Sequence, residues 1–140
     1  MIFSMKLITY TDGGARGNPG PAGIGIVIKD EKGKTLEEFG RYIGETTNNQ
    51  AEYRALLAAL ERCRELGAKE VECRLDSELV VKQMRREYKV KDPGLAAIFV
   101  QVWNVLIHFK KVTFHHVPRE RNKDADRMVN EAIDRHQKKS

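Results

Sequence analysis

The segment TDGGARGNPGPAG, residues 11–23, carries five glycines and two prolines between two β-branched runs. No helix accommodates that composition. A chain that places it between strand-like stretches at 5–11 and at 22–29 (AGIGIVIK) must turn back on itself there. A third strand is predicted at 34–43, after the turn around Gly33 in EKGK, and the three form an antiparallel meander.

Helical spacing then takes over. NNQAEYRALLAALERCREL, from Asn48 to Leu66, is rich in Ala, Leu, Glu and Arg and stops at Gly67. VECRL (71–75) is a short strand, and a short helix follows Ser77. A longer helix begins after Asp92-Pro93-Gly94 and runs through LAAIFVQVWNVLI. Lys111 to Val117 is the last strand, and Asn122 to about His136 the last helix. The order βββαβααβα predicts an α/β fold, because strands separated by helices pair in parallel through right-handed crossovers. The expected sheet is mixed and five-stranded, with helices on both faces: an antiparallel 3-2-1 meander joined by parallel strands 4 and 5, strands 1 and 4 adjacent in the middle. No repeat or linker interrupts the 140 residues, so a single domain, 1–140, is expected.

The composition, 32% charged and 41% apolar, is globular, and a net charge of +5 points to an anionic partner such as nucleic acid. Cys63 and Cys73 lack CxxC spacing and neighbouring metal-ligand histidines, which reads as reduced thiols in a cytoplasmic protein. MIFSMKLITY lacks the apolar core and cleavage site of a signal peptide, and no stretch approaches 18 apolar residues. A soluble monomer with no membrane association is expected.

Four acids stand where chemistry is expected. Ligands of such sheets bind at the carboxyl ends of the parallel strands, where Asp12 ends strand 1 and Asp76 ends strand 4. Glu52 shares the apolar helix face of Leu56, Ala59, Leu60 and Cys63, and Asp126 that of Val129 and Ile133. Each acid alone also has a structural reading: Asp12 as a turn residue, Glu52 as partner of Asn49 in a near capping box, Asp76 as a helix cap, Asp126 as a first-turn acid. Together they cannot all stay ionised unaided, since each like-charged pair at 4 Å costs about 4 kcal/mol at an effective dielectric near 20. Oxygen ligands of this kind suit Mg²⁺ or Mn²⁺, and two such ions would clamp both reacting oxygens of a phosphodiester, with Asp12 bridging them.

The blocks YTDGGARGNPGPAG, TTNNQAEYRALLAAL, LDSELVVKQM and HVPRERNKDADRMVNEA, in this order over nearly the whole chain, closely resemble type 1 ribonuclease H. The resemblance implies the ribonuclease H-like fold and cleavage of the RNA strand of RNA–DNA hybrids. It implies a metal-binding catalytic quartet at Asp12, Glu52, Asp76 and Asp126, with two Mg²⁺ or Mn²⁺ ions. It further implies hybrid contacts from Gly13, Gly14, Arg16 to Asn18, Thr47, Asn48, Asn49 and Glu78. Amides and backbone N–H groups can read a 2′-OH in the wide minor groove of a hybrid. Glycines 13, 14, 17, 20 and 23 are expected to let the backbone approach the strand.

Two departures from the family pattern bear on mechanism. The loop histidine of many relatives corresponds by counting to His116, but a strand reaching Val117 would place Arg119 on the loop instead, with His116 buried and hydrogen-bonded; Arg119 is favoured. The long basic protrusion of some relatives is missing. Between Lys82 and Lys91 five basic residues surround Tyr88, as a smaller phosphate-contacting patch or a solvated face. Trp103 is read as core. Another nuclease activity on this fold, or a catalytically silent hybrid-binding module, are the competing functions.

Overall fold

The computed structural model describes residues 5–138. Strands β1 (Lys6–Ala15), β2 (Gly20–Asp30), β3 (Thr35–Thr46), β4 (Glu70–Leu75) and β5 (Lys111–His116) form one sheet in the order β3-β2-β1-β4-β5. The first three pair antiparallel, and β4 and β5 continue in parallel, as the sequence predicts. Helices α1 (Asn48–Glu65), α2 (Glu78–Met84), α3 (Pro93–Leu106) and α4 (Lys123–Lys138) fill the connections and the end. A short 3₁₀ turn, Arg119–Arg121, precedes α4.

Local chemistry sets the boundaries. Thr47 caps α1, its hydroxyl oxygen accepting from Gln50 N at 3.2 Å, so Asn49 and Glu52 are not a capping box. Ser77 caps α2 in the same way, accepting from Val80 N, which frees Asp76 from that role. Asp92 caps α3, with Pro93 in the first turn where its missing N–H costs nothing. Gly67, at φ 86°, follows the end of α1.

Strand alternation divides the sheet into two faces. Leu7, Thr9 and Thr11 of β1, with Ile24, Ile26 and Ile28 of β2 and Val71, Cys73 and Leu75 of β4, are buried, and their apolar members form the main core beneath α1, with α2 and α3 closing its flank. Trp103 packs at the edge of this core, half-buried, under the Arg86 guanidinium. The opposite face carries Asp12, Gly14, Gly23, Gly25 and Gly40. There α4 lies across β1, β2 and β3, burying Ala125, Met128, Val129, Ala132 and Ile133.

Strand β1 does not end at Asp12. It continues through Gly13 and Gly14 to Ala15, still paired with β2, so Asp12 is a mid-strand residue opposite Gly25 and not part of a turn. The turn proper lies at residues 16–19 and contains a cis Asn18–Pro19 peptide. Most glycines of this region are required by packing. A Cβ on Gly13 would stand 2.2 Å from the backbone of Ala51 in α1, one on Gly25 2.0 Å from the Ala125 carbonyl oxygen in α4, and one on Gly23 3.0 Å from that of Val129. Gly20 is likewise filled by the Arg16 carbonyl at 2.0 Å.

Gly25→Ala is therefore expected to destabilise the fold by about 2–3 kcal/mol or more in urea denaturation, because backbone rather than a yielding side chain must move. Gly33→Ala, in an open turn at φ 86° with nothing within 4 Å, should lose only the roughly 1 kcal/mol of left-handed backbone strain. Equal losses at the two positions would show that α4 does not sit this close to the sheet.

Candidate active site

The β1–β4 ladder stops at Thr11–Leu75, and the two strands carry Asp12 and Asp76 just beyond it. Glu52, in the second turn of α1, reaches the same point because Gly13 admits the helix: the Gly13 N–H donates to Glu52 Oε1 at 2.7 Å. Carboxylate oxygens of Asp12, Glu52 and Asp76 all lie within 4.8 Å of one another. Asp126, from the first turn of α4, comes close enough to Asp12 to raise its pKa. All four acids line one open cavity of about 410 Å³, shared with Gly14, Asn48, Ser77, Arg119 and Asn130.

This arrangement is electrostatically costly. Burial, with the negative charges of Asp76 and Asp126, pushes the Asp12 carboxyl up to about 7 against the opposing influence of Glu52. Burial first, then Asp12, holds Glu52 well above the usual carboxylate range, with the Gly13 N–H pulling the other way. Glu52 Oε2 is buried without a hydrogen-bond partner. Such an oxygen carries a desolvation penalty that a cation can relieve. Three clustered carboxylates, one with a spare oxygen, fit a hard divalent ion.

The remaining residues singled out in the sequence fall into three groups. On the α1 side, Asn48 Oδ1 accepts from Ala15 N at 2.8 Å and Asn18 Oδ1 from Asn48 N at 3.0 Å, tying the β1–β2 turn to the start of α1; Asn49 is exposed beside them. Arg16 also lines the cavity, but its guanidinium is held by Asp134 at 2.7 Å and Gln137 at 2.8 Å in α4. Glu78, exposed at the start of α2, pairs with Lys82 at 2.8 Å. Lys82 also lies over the exposed ring of Tyr88.

The loop before α4 separates its two candidates. Arg119 lines the acidic cavity, whereas His116 does not and lies toward Glu78 instead. Strand β5 ends at His116, not Val117, and His116 is exposed rather than buried; His115 is the hydrogen-bonded histidine, Nε2 lying 2.9 Å from Thr113 Oγ1. Sequence spacing missed Ser77, Asn122 and Asn130. An Asn two residues before the first-turn acid Asp124 was the available signal for Asn122, and it registered only as a helix start.

A family model described as reverse transcriptase-like matches residues 10–132. The ribonuclease HI of Halobacterium salinarum is 45% identical over 92% of this chain and 65% of its own length. The bifunctional protein Rv2228c of Mycobacterium tuberculosis is 46% identical over 93% of this chain and 36% of its own, so the chain spans about a third of that relative. Among solved structures, LC11-RNase H1 in complex with an RNA/DNA hybrid superposes with a TM-score of 0.90 at 54% identity, over 94% of this chain and 99% of that one.

Because the Asp12 carboxyl is raised in the folded state, its contribution to stability is full below pH 4 and is lost as pH rises through about 7. Without divalent ions, Asp12→Asn is expected to be more stable than the wild type at pH 8, by about 2–4 kcal/mol, and to lose most of that advantage by pH 5. Thermal denaturation in EDTA at the two pH values reads this directly. A destabilised Asn variant at pH 8 would contradict the clustering.

Proposed function

Since the chain belongs to the type 1 ribonuclease H family, we propose that it is a metal-dependent endonuclease that hydrolyses the RNA strand of RNA–DNA hybrids, leaving 5′-phosphate and 3′-hydroxyl ends. The observation that carries this reading is the convergence of Asp12, Glu52 and Asp76 within 4.8 Å, with one buried Glu52 oxygen unpartnered. The hybrid held by a relative of 54% identity supports the substrate class.

In this reading Asp12, Glu52, Asp76 and Asp126 would hold the two Mg²⁺ or Mn²⁺ ions. When bound, such a pair supplies the positive charge that activates a water for in-line attack and stabilises the departing 3′ oxygen. The Gly13 N–H keeps Glu52 oriented and leaves Oε2 for ligation. Asn48, its Oδ1 already engaged by Ala15 N, presents its amide N–H to the minor groove, where Asn49, Asn18, Gly14 and Arg16 add contacts along the strand and Glu78 accepts from a 2′-OH. The Thr47 hydroxyl, an acceptor within its helix cap, still has its proton to donate to a phosphate of the DNA strand. Gly13 acts through Glu52 rather than by touching the hybrid.

Arg119 takes the loop role in preference to His116. A guanidinium stays protonated throughout the working range, so it holds phosphate charge at the cavity rim and transfers no proton. Residues 1–140 form one domain that acts as a monomer in the cytoplasm, a reducing compartment that suits its two buried free thiols, of which Cys63 is pushed up to about 12 by burial. Among the described residues no helix is long and apolar enough to cross a membrane.

Labelled RNA–DNA hybrid, single-stranded RNA, duplex RNA and duplex DNA, each with Mg²⁺, Mn²⁺ or EDTA, test the assignment. Hybrid-selective cutting that needs metal and disappears in Asp12→Asn is expected. Hybrid binding without turnover would indicate a silent binding module, and cutting of duplex DNA a different nuclease. In the same assay Arg119→Ala should lower kcat by roughly 100-fold, while His116→Ala changes it less than threefold; the reverse pattern would return the loop role to His116.

A further inference from the structure

Where β1 and β4 part, the strand ladder leaves a gap that one side chain fills. The Thr11 carbonyl, adjacent to Asp12, takes its hydrogen bond from Asn122 Nδ2 at 2.8 Å. The backbone N–H of the same asparagine donates to the Arg119 carbonyl at 2.9 Å, and its carbonyl accepts from the Asp126 N–H at 3.1 Å. One residue thus bonds the strand of Asp12, the turn of Arg119 and the helix of Asp126. It is 1% exposed, and its Oδ1 has no hydrogen-bond partner.

Stability alone does not account for this residue. A buried amide with one end unsatisfied is a poor choice for packing β1 against α4, and structures retain such groups where geometry matters more than net energy. We infer that Asn122 is a positioning residue, which fixes the separation of Asp12 from Asp126 and the placement of Arg119 over the cavity, and thereby sets the divalent-ion affinity of the site. It touches neither substrate nor reacting atoms. Its action resembles that of residues that orient metal ligands from behind, whose loss typically weakens metal binding or activity by 10–100-fold.

The inference rests on the metal-holding role proposed above, so the test separates the two. Mn²⁺ is titrated against wild type, Asn122→Ala, Asn122→Ser and Val27→Ala, the last a buried position beneath α4 away from the acidic cavity. Two readouts are taken: the rise in Tm with Mn²⁺, which needs no turnover, and hybrid hydrolysis with kcat and KM resolved. Both Asn122 variants should move the Mn²⁺ midpoint upward by roughly tenfold in both readouts, with KM for the hybrid within twofold of wild type. Val27→Ala should lower Tm and leave the midpoint in place. Asn122 variants that lose Tm but keep the wild-type midpoint would overturn the inference and leave the residue a structural one. If Asn122→Ala does not fold, the milder Asn122→Ser decides. A wild type whose Tm ignores Mn²⁺ would overturn the metal site itself, and the inference with it.

Discussion

Two missing methyl groups hold this site together. Gly13 lets the backbone of α1 press against β1 from one face of the sheet, and Gly25, opposite Asp12 on β2, lets the backbone of α4 press from the other. The first contact brings Glu52 to Asp12 and the second brings Asp126. Because the touching atoms are backbone, both distances are insensitive to side-chain rotation. A carboxylate cluster needs that rigidity, since flexible acids would move apart to lower their mutual repulsion.

The electrostatic strain in the cluster and the compactness around it are two sides of the same arrangement. Asp12 and Glu52 are raised by burial before any neighbouring charge acts, and the burial follows from the same helix–sheet contacts. Without metal, the raised Asp12 and Glu52 carboxyls keep their protons to higher pH than ordinary carboxylates do. A divalent ion would replace those protons, so occupancy, stability and pH are linked through one small set of oxygens.

Much of this was legible in the sequence. The order of elements, the strand pairing and the four acids follow from hydrophobic period and from the rule that ligands gather at strand ends. What escaped was decided by tertiary contact. Spacing cannot tell a glycine that admits a helix from one that admits a ligand, and Gly13 and Gly23 are of the first kind. Strand propensity ended β1 at Asp12, since glycines disfavour strands, yet pairing with β2 carries it to Ala15. His116 and Arg119 stand three positions apart, and only the end of β5 and the short turn after it put Arg119 on the cavity. Asn122 read only as the start of the last helix, because its role lies in a bond to a carbonyl 111 positions away.

That span has a consequence for how the protein fails. Asp12, Glu52 and Asp76 are joined through β1, α1 and β4, which share the main core, whereas Asp126 and the Arg119 turn arrive with α4, on the face outside that core. A helix docked on its own smaller apolar layer can lift away as a unit while the rest of the sheet stays folded. Such a molecule would keep most of its structure and three of its four acids, and lose one wall of the acidic cavity. Where α4 lifts first, the cavity survives only as long as one helix keeps its hold on a strip of glycines, whatever the stability of the main core.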